Sequence, residues 1–183
     1  MAVWENEDLK LHSHHGWRAR PGCKIFVADR GAVRFDYPQD WFVVLEEDSV
    51  KLCDKEPPDD DSRLTVSYLR LPPVDWSGLP VAALLEAGMR ADERLVDTWG
   101  PIREMQRGDL QVAWREVSFL DPIEKRDARS RICVARRSPL QCLITFDFWA
   151  AHLEHCASAW NTVLETLELG ESIADPTRGP LVC

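Results

Sequence analysis

The stretch Val33-Arg34-Phe35-Asp36-Tyr37-Pro38-Gln39-Asp40-Trp41 decides the fold of this chain. Val33, Phe35 and Tyr37 alternate with two polar residues, and this period of two predicts a half-buried strand. Pro38 ends the strand because proline has no N–H to donate to a sheet ladder. The polar pair that follows is typical of a turn, so the stretch predicts a strand, a tight turn and the start of another strand.

Strand signals continue on both sides of this stretch. Lys24 to Ala28 precedes it across the turn Asp29-Arg30-Gly31, which predicts a hairpin. Further strands are predicted at 42–45, 50–53, 64–71, 102–106, 110–119, 129–136 and 140–148. Within 110–119 the apolar residues change parity, and we expect a bulge near Arg115-Glu116 to reconcile them.

Two amphipathic helices interrupt the strands. The first is expected to be capped by Ser77, with Pro80 in its first turn and apolar residues at helical spacing as far as Met89. The second is predicted from about Ala151 to Leu167, where one apolar stripe includes Trp160. Because the connections between strands are short, neighbouring strands should pair antiparallel beneath these helices.

The predicted fold class is therefore α+β, a mainly antiparallel sheet of about six to seven strands with two covering helices, as in an α/β sandwich. Residues 1–22 are polar and aperiodic and are expected to form a loosely ordered N-terminal arm. Residues 23–170 form a single α+β domain in this prediction. Residues 171–183 contain two prolines and a glycine and are expected to form a mobile C-terminal tail.

The order of these elements resembles the PsbP/Mog/DcrB-like superfamily. The stretch 33–41 is similar to the opening of that fold, an apolar strand followed by Tyr-Pro, a short turn and Trp. The ending, residues 160–169, is similar to its closing helix and final short strand. The superfamily includes photosystem extrinsic subunits, a Ran-binding nuclear transport factor, bacterial lipoproteins and chaperones for secreted effectors. The resemblance implies a non-catalytic binding or accessory module.

Composition and charge bear on which partners and which cellular compartment we expect for the protein. The chain has 183 residues, 22 basic and 31 acidic side chains and a net charge of −9, which disfavours binding to nucleic acid. The first residues show neither a basic region nor an apolar core of a signal peptide, and no apolar run is long enough to span a membrane. We therefore expect a cytoplasmic protein whose six cysteines are reduced. The resemblance to the superfamily implies that it is a bacterial member.

Candidate chemical groups are sparse along the chain. His12, His14 and His15 lie near Cys23, but the second tight ligand pair of a structural zinc site is missing. His152 and His155 lie one helical turn apart, yet the glutamate of a zincin motif is replaced by Leu153. Neither a nucleophile elbow nor a phosphate-binding glycine loop occurs. We predict no catalytic residues, no metal site and no cofactor.

Charge patterning points instead to a protein partner. Residues 46–61 carry eight acids against two lysines, whereas 125–137 carry six basic residues against one acid. Alternation in the strand 129–136 places Arg129 and Arg131 on one face, where they can bind an acidic partner or an anion, or simply pair with acidic neighbours. We predict a binding module that engages a protein through its sheet face or loops. The alternatives are a small-ligand-binding protein or enzyme whose site converges only in three dimensions, and a self-associating structural protein.

Overall fold

A computed structural model describes residues 5–7, 9–91 and 94–180 of the chain. These residues form eleven strands and two α-helices. In chain order they are β1 (Cys23–Ala28), β2 (Val33–Pro38), β3 (Phe42–Leu45), β4 (Val50–Cys53), β5 (Ser62–Arg70), α1 (Val81–Arg90), β6 (Thr98–Trp99), β7 (Arg103–Arg107), β8 (Leu110–Leu120), β9 (Asp127–Arg137), β10 (Leu140–Trp149), α2 (Leu153–Thr166) and β11 (Glu168–Leu169).

The stretch 33–41 behaves as its pattern predicts. β2 pairs antiparallel with β1, and Phe35 lies opposite Phe26 with their rings stacked 4.8 Å apart. Trp41 is buried and packs against the ring of Phe146 at 5.7 Å. The hairpin does not join the main sheet, because the outer edge of β2 pairs with β11 from the other end of the chain. These strands make a separate three-stranded sheet.

The main sheet has eight antiparallel strands, more than the predicted six to seven. Its order is β3-β4-β5-β10-β9-β8-β6, and β7 also pairs with β8. The extra strands arise because β8 is eleven residues long, so that both β6 and β7 pair along its outer edge. The α+β class and the antiparallel arrangement are confirmed.

The predicted bulge near Arg115-Glu116 is wrong. β8 pairs with β9 in one uninterrupted register from Gln111 opposite Arg136 to Leu120 opposite Asp127. The change in parity has another cause, because helices cover both faces of the sheet at β8 and β9. Leu110 and Val112 belong to the core on the α2 side, whereas Ala113 and Val117 pack against α1.

The larger core lies between one face of the main sheet and a layer made of α2 and the three-stranded sheet. Trp160 of α2 is fully buried at its centre, 5.6 Å from the ring of Trp114 and 6.0 Å from the ring of Phe146. A smaller core forms where α1 lies on the opposite face of β8 and β9. On this second face, β3, β4 and β5 lie beyond the strands that α1 contacts.

Both helices begin later than the sequence predicts. α1 starts at Val81 after Pro80, and Ser77 bonds to the carboxylate of Asp75 instead of capping the helix. A 3₁₀ turn, Ala150–His152, precedes α2. The end of α2 is held from the side, because the guanidinium of Arg107 donates to the carbonyl oxygens of Glu165 and Leu167.

The segments on either side of the domain contact each other. The backbone N–H of His12 donates to the carbonyl of Thr177 at 3.0 Å, and that of Gly16 to the carbonyl of Arg178 at 2.6 Å. The indole of Trp17 donates to the carbonyl of Pro176 at 2.8 Å. These bonds place residues 12–17 beside residues 176–178.

Candidate partner-binding groove

An open groove of about 710 Å³ lies between the two sheets. Much of its lining is apolar and includes Ile25 and Val27 of β1 and Val43 and Leu45 of β3. The N-terminal segment contributes a further wall, which includes Leu9, Leu11 and Trp17.

The groove exists because two sheets end beside it. β1 is an edge strand of the small sheet and β3 is an edge strand of the main sheet, so neither has a neighbour on its outer side within the described ranges. Val43 and Leu45 lie opposite Leu52 and Val50, which are buried in the larger core. The apolar face of the main sheet therefore continues outward from that core into the groove.

A strained turn borders the groove. Asp29 and Arg30 have positive φ angles of 43° and 54°, and the N–H of Gly31 donates to the carbonyl of Ala28. Gly31 is required there, because a Cβ would lie 2.5 Å from the carbonyl oxygen of Glu171. The turn is anchored through the carboxylate of Asp29, which accepts bonds from the Tyr68 hydroxyl at 3.1 Å and the Arg70 guanidinium at 2.9 Å.

The hydroxyl group of Tyr68, which helps to anchor the turn, has a raised pKa. Burial of the phenol is the main cause, and the adjacent Asp29 carboxylate adds to it, so the pKa of Tyr68 rises to about 12. The phenol therefore stays neutral through the physiological range and acts as a hydrogen-bond donor that fixes the turn.

Arg129 and Arg131 do share a face of β9, as predicted, but that face lies under α2. Only 8% of the Arg131 side chain is exposed, and its guanidinium stands over the rings of Phe148 at 5.2 Å and Trp160 at 5.9 Å. Its Nε bonds to the carboxylate of Glu116 at 2.7 Å. The Arg129 side chain, which is 33% exposed, bonds to the other oxygen of Glu116.

The carboxyl group of Glu116 supplies the negative charge that pairs with Arg129 and Arg131. Burial by itself raises its pKa, but the hydrogen bonds and positive charges of Arg131 and Arg129 outweigh burial and hold the pKa below its ordinary value. Glu116 is therefore ionised between two guanidinium groups. The sequence left open that these two arginines simply pair with an acidic neighbour, and in the structure both pair with Glu116.

A smaller cleft of about 360 Å³ collects acidic and basic side chains near the β8–β9 turn. Its carboxylates are already engaged by the protein. Asp60 forms two hydrogen bonds with Arg63, both at 3.0 Å, and Asp147 lies 3.4 Å from Arg94. Asp121 accepts the N–H groups of two residues in its own turn. The cleft thus holds paired charges.

Cys133 and Cys142 are fully buried in the main sheet. Burial raises the pKa of Cys133 to about 12 and that of Cys142 well above its ordinary value. Such thiols stay protonated and are poor nucleophiles. Within residues 5–7, 9–91 and 94–180, no group of three His, Cys, Asp or Glu side chains is arranged to hold a metal ion. In the same ranges, neither helix has the length and hydropathy that crossing a bilayer requires.

Known structures with the same architecture define the fold class. The cyanobacterial PsbP protein CyanoP of Synechocystis sp. PCC 6803 superposes with a TM-score of 0.58 at 12% identity, covering 87% of this chain and 99% of that one. The Ran-binding protein Mog1p of Saccharomyces cerevisiae superposes with a TM-score of 0.51 at 8% identity, covering 86% and 98%. The resemblance noted from the sequence is thus confirmed as a PsbP/Mog-like fold.

Sequence comparison identifies the family. The chain belongs to the Alr1449 family, whose model matches residues 24–173. It is 45% identical over 177 residues to a relative described as the uncharacterized protein alr1449 of Nostoc sp. (strain PCC 7120 / SAG 25.82 / UTEX 2576), covering 96% of this chain and 92% of that protein.

The residues of β3 are the ones that sequence reasoning missed as a site. Phe42-Val43-Val44-Leu45 is an apolar run without alternation, and such a run is typical of a strand buried on both faces. Here three of the four side chains are exposed, Phe42 at 45%, Val43 at 41% and Leu45 at 38%. The acidic residues directly after the run were the available signal, because they limit how deeply this strand can be buried.

Proposed function

We propose that this protein is a non-catalytic binding or accessory module that engages a protein partner through the groove between β1 and β3. The observation that carries the proposal is the exposed apolar lining of an open groove bounded by two edge strands. Apolar surface of this kind gains free energy when a partner removes it from water. The known structures with the same fold include a protein described as Ran-binding, which fits a role in partner binding.

A binding role is favoured over catalysis by the state of the polar groups. In the smaller cleft, the carboxylates of Asp60, Asp121 and Asp147 are engaged by groups of the protein itself. In the groove, the carboxylate of Asp29 is held by Arg70. An enzyme site needs groups left available to the reacting molecule. The alternative of a small-ligand-binding protein or enzyme predicts saturable binding of a small molecule in the 360 Å³ cleft.

Of the two arginines predicted to bind a partner, we keep only Arg129 as a contact in this proposal. Arg129 retains an exposed third of its side chain from which it can reach an acidic group of a partner, whereas Arg131 is covered. We also propose that the protein acts in the cytoplasm of a bacterium. Its buried cysteines as free thiols and its 45% identity to a Nostoc protein support this.

Site-specific photo-crosslinking tests the proposal. A photoreactive amino acid at Val43 should crosslink to a discrete protein in cells of the source organism, and the same amino acid at the exposed Glu104 should not. Val43→Asp combined with Leu45→Asp should abolish co-purification of that protein while Arg129→Ala weakens it only modestly. Retained co-purification by a folded Val43→Asp, Leu45→Asp protein would refute the groove as the binding surface.

A further inference from the structure

The edge of β3 is short but carries few of the features that block pairing with another chain. Edge strands of soluble proteins commonly carry a lysine, a proline or a bulge that blocks pairing with another chain. The four residues of β3 include none of these, and their pairing with β4 is regular from Phe42 opposite Cys53 to Leu45 opposite Val50. The edge is thus shaped to accept another strand.

The orientation of the β3 backbone can be worked out from the turn that follows it. The N–H of Glu46 donates to the carbonyl of Ser49, so it points toward β4. Because N–H groups alternate along a strand, those of Val43 and Leu45 point toward the open edge. Their side chains line the groove. A segment added at this edge would bond to these two residues and place every second side chain in the groove.

Charge selects the kind of segment. Asp40 precedes β3, and Glu46, Glu47 and Asp48 follow it, all of them exposed. Glu46 bonds to Lys51 at 2.5 Å, but in the described part of the chain no ion pair is formed by Glu47 or Asp48. The groove wall itself is nearly balanced, since Lys24 and Arg30 offset its acids. The acidic excess therefore lies at the two ends of the open edge.

The same charges disfavour a second copy of this chain. If β3 pairs antiparallel with itself so that Val43 lies opposite Leu45, Asp40 then lies opposite Asp48. Like charges directly opposite each other destabilise a strand pair. Opposite charges at those positions stabilise it, so the flanks of β3 match a segment that carries basic residues.

We propose that the open edge of β3 binds an extended segment of a partner protein that is apolar at alternate positions and carries lysine or arginine at both ends. This inference rests on the proposed function and specifies the partner chemistry of the same groove. Main-chain bonds to Val43 and Leu45 supply register, the groove takes the apolar side chains, and the acidic flanks select the ends.

Fluorescence anisotropy with the full chain tests the proposal. The probe is a labelled nine-residue peptide of alternating valine and threonine with two lysines at each end. We expect saturable binding that weakens as salt is raised, because exposed charges are screened. The matched peptide with glutamates at both ends should bind about tenfold more weakly, because attractive pairs become repulsive. A lysine-ended peptide that is N-methylated at alternate residues should lose binding, because it cannot bond to the strand edge.

Protein variants provide the control for charge. Glu47→Lys with Asp48→Lys should weaken the lysine-ended peptide about tenfold and strengthen the glutamate-ended one. Glu104→Lys with Glu124→Lys changes the net charge equally at exposed positions on other strands and turns, and should change both affinities less than about twofold.

The outcomes separate this inference from the proposed function. Equal binding of both peptides, or undiminished binding of the N-methylated one, overturns the inference but leaves the groove as a partner site if the crosslink at Val43 is found. Sedimentation showing a dimer that Val43→Asp dissociates overturns it in favour of a second copy. A charge-reversed turn that binds the lysine-ended peptide normally also overturns it.

Discussion

Replacing Glu116 with glutamine should destabilise the protein more than replacing either of its arginine partners with methionine. Glu116→Gln leaves the guanidinium of Arg131 with only 8% exposure and without the carboxylate that balances it. Removing one partner of a fully buried ion pair costs about 3–5 kcal/mol. Because the amide oxygen of glutamine can still accept a hydrogen bond, we place the cost at the lower end, about 3 kcal/mol.

The converse substitution is expected to be milder. Arg131→Met leaves Glu116 paired with Arg129, so the remaining charge is not isolated. The loss of one charged hydrogen bond and of the guanidinium contacts with the aromatic rings should cost about 2 kcal/mol. Arg129→Met, on the same strand with the same partner but a 33% exposed side chain, should cost about 0.5–1 kcal/mol and is the matched control.

Urea unfolding followed by the fluorescence of the eight tryptophans measures these differences. The double variant Glu116→Gln, Arg131→Met should cost about 1–2 kcal/mol less than the sum of the single variants, because the two residues interact directly. Additivity within about 0.3 kcal/mol would refute the inferred coupling, as would a Glu116→Gln variant as stable as the wild type.

The same substitution has a defined pH dependence. The pKa of Glu116 in the folded protein lies below its ordinary value of 4.5, so its stabilising effect is complete above about pH 4.5 and is lost as the pH falls through the folded-state pKa. The stability difference between the wild type and Glu116→Gln should therefore shrink on acidification below pH 4.5. A difference that is constant down to pH 3 would contradict the assigned charge state.

Three further results are expected. Gly31→Ala should cost more than 2 kcal/mol in urea unfolding, because its φ is 101° and the new Cβ meets Glu171, whereas Gly22→Ala, at φ 74° with open space around it, should cost about 1 kcal/mol; equal costs would remove the argument from close approach. In absorbance titration Tyr68 should ionise near pH 12, with its stabilising effect present below pH 10 and lost as the pH rises through 12, and ionisation near pH 10 would contradict its burial. Trp160→Ala should cost about 3–5 kcal/mol as judged by the urea midpoint, and a loss under 1 kcal/mol would mean that this residue is not central to the core.

Local signals were enough to predict most of the elements. The hairpin of β1 and β2 was predictable because alternation and turn residues act between neighbours along the chain. The stripe containing Trp160 predicted α2 for the same reason. What could not be read locally was pairing between distant residues, such as β2 with β11, which makes the hairpin part of a second sheet.

The surroundings of the charged residues were also beyond local patterns. Alternation placed Arg129 and Arg131 on one face correctly, but only the position of α2 decides that this face is covered. The reverse holds for β3, whose apolar run indicates burial although no strand among the described residues covers its outer edge. Exposure depends on which elements pack together, and that information is spread over the whole chain.

The pairing of β2 with β11 also orders events during synthesis. Val33 lies opposite Leu169, so the small sheet joins one of the first strands of the chain to the last. Contacts this far apart in sequence close slowly, and domains are made from the N-terminus at about 5–20 residues per second. The early hairpin must therefore wait, with its apolar face open to water, until α2 and β11 have left the ribosome. The three-stranded sheet can therefore be completed only after residues 168 and 169 have been synthesised.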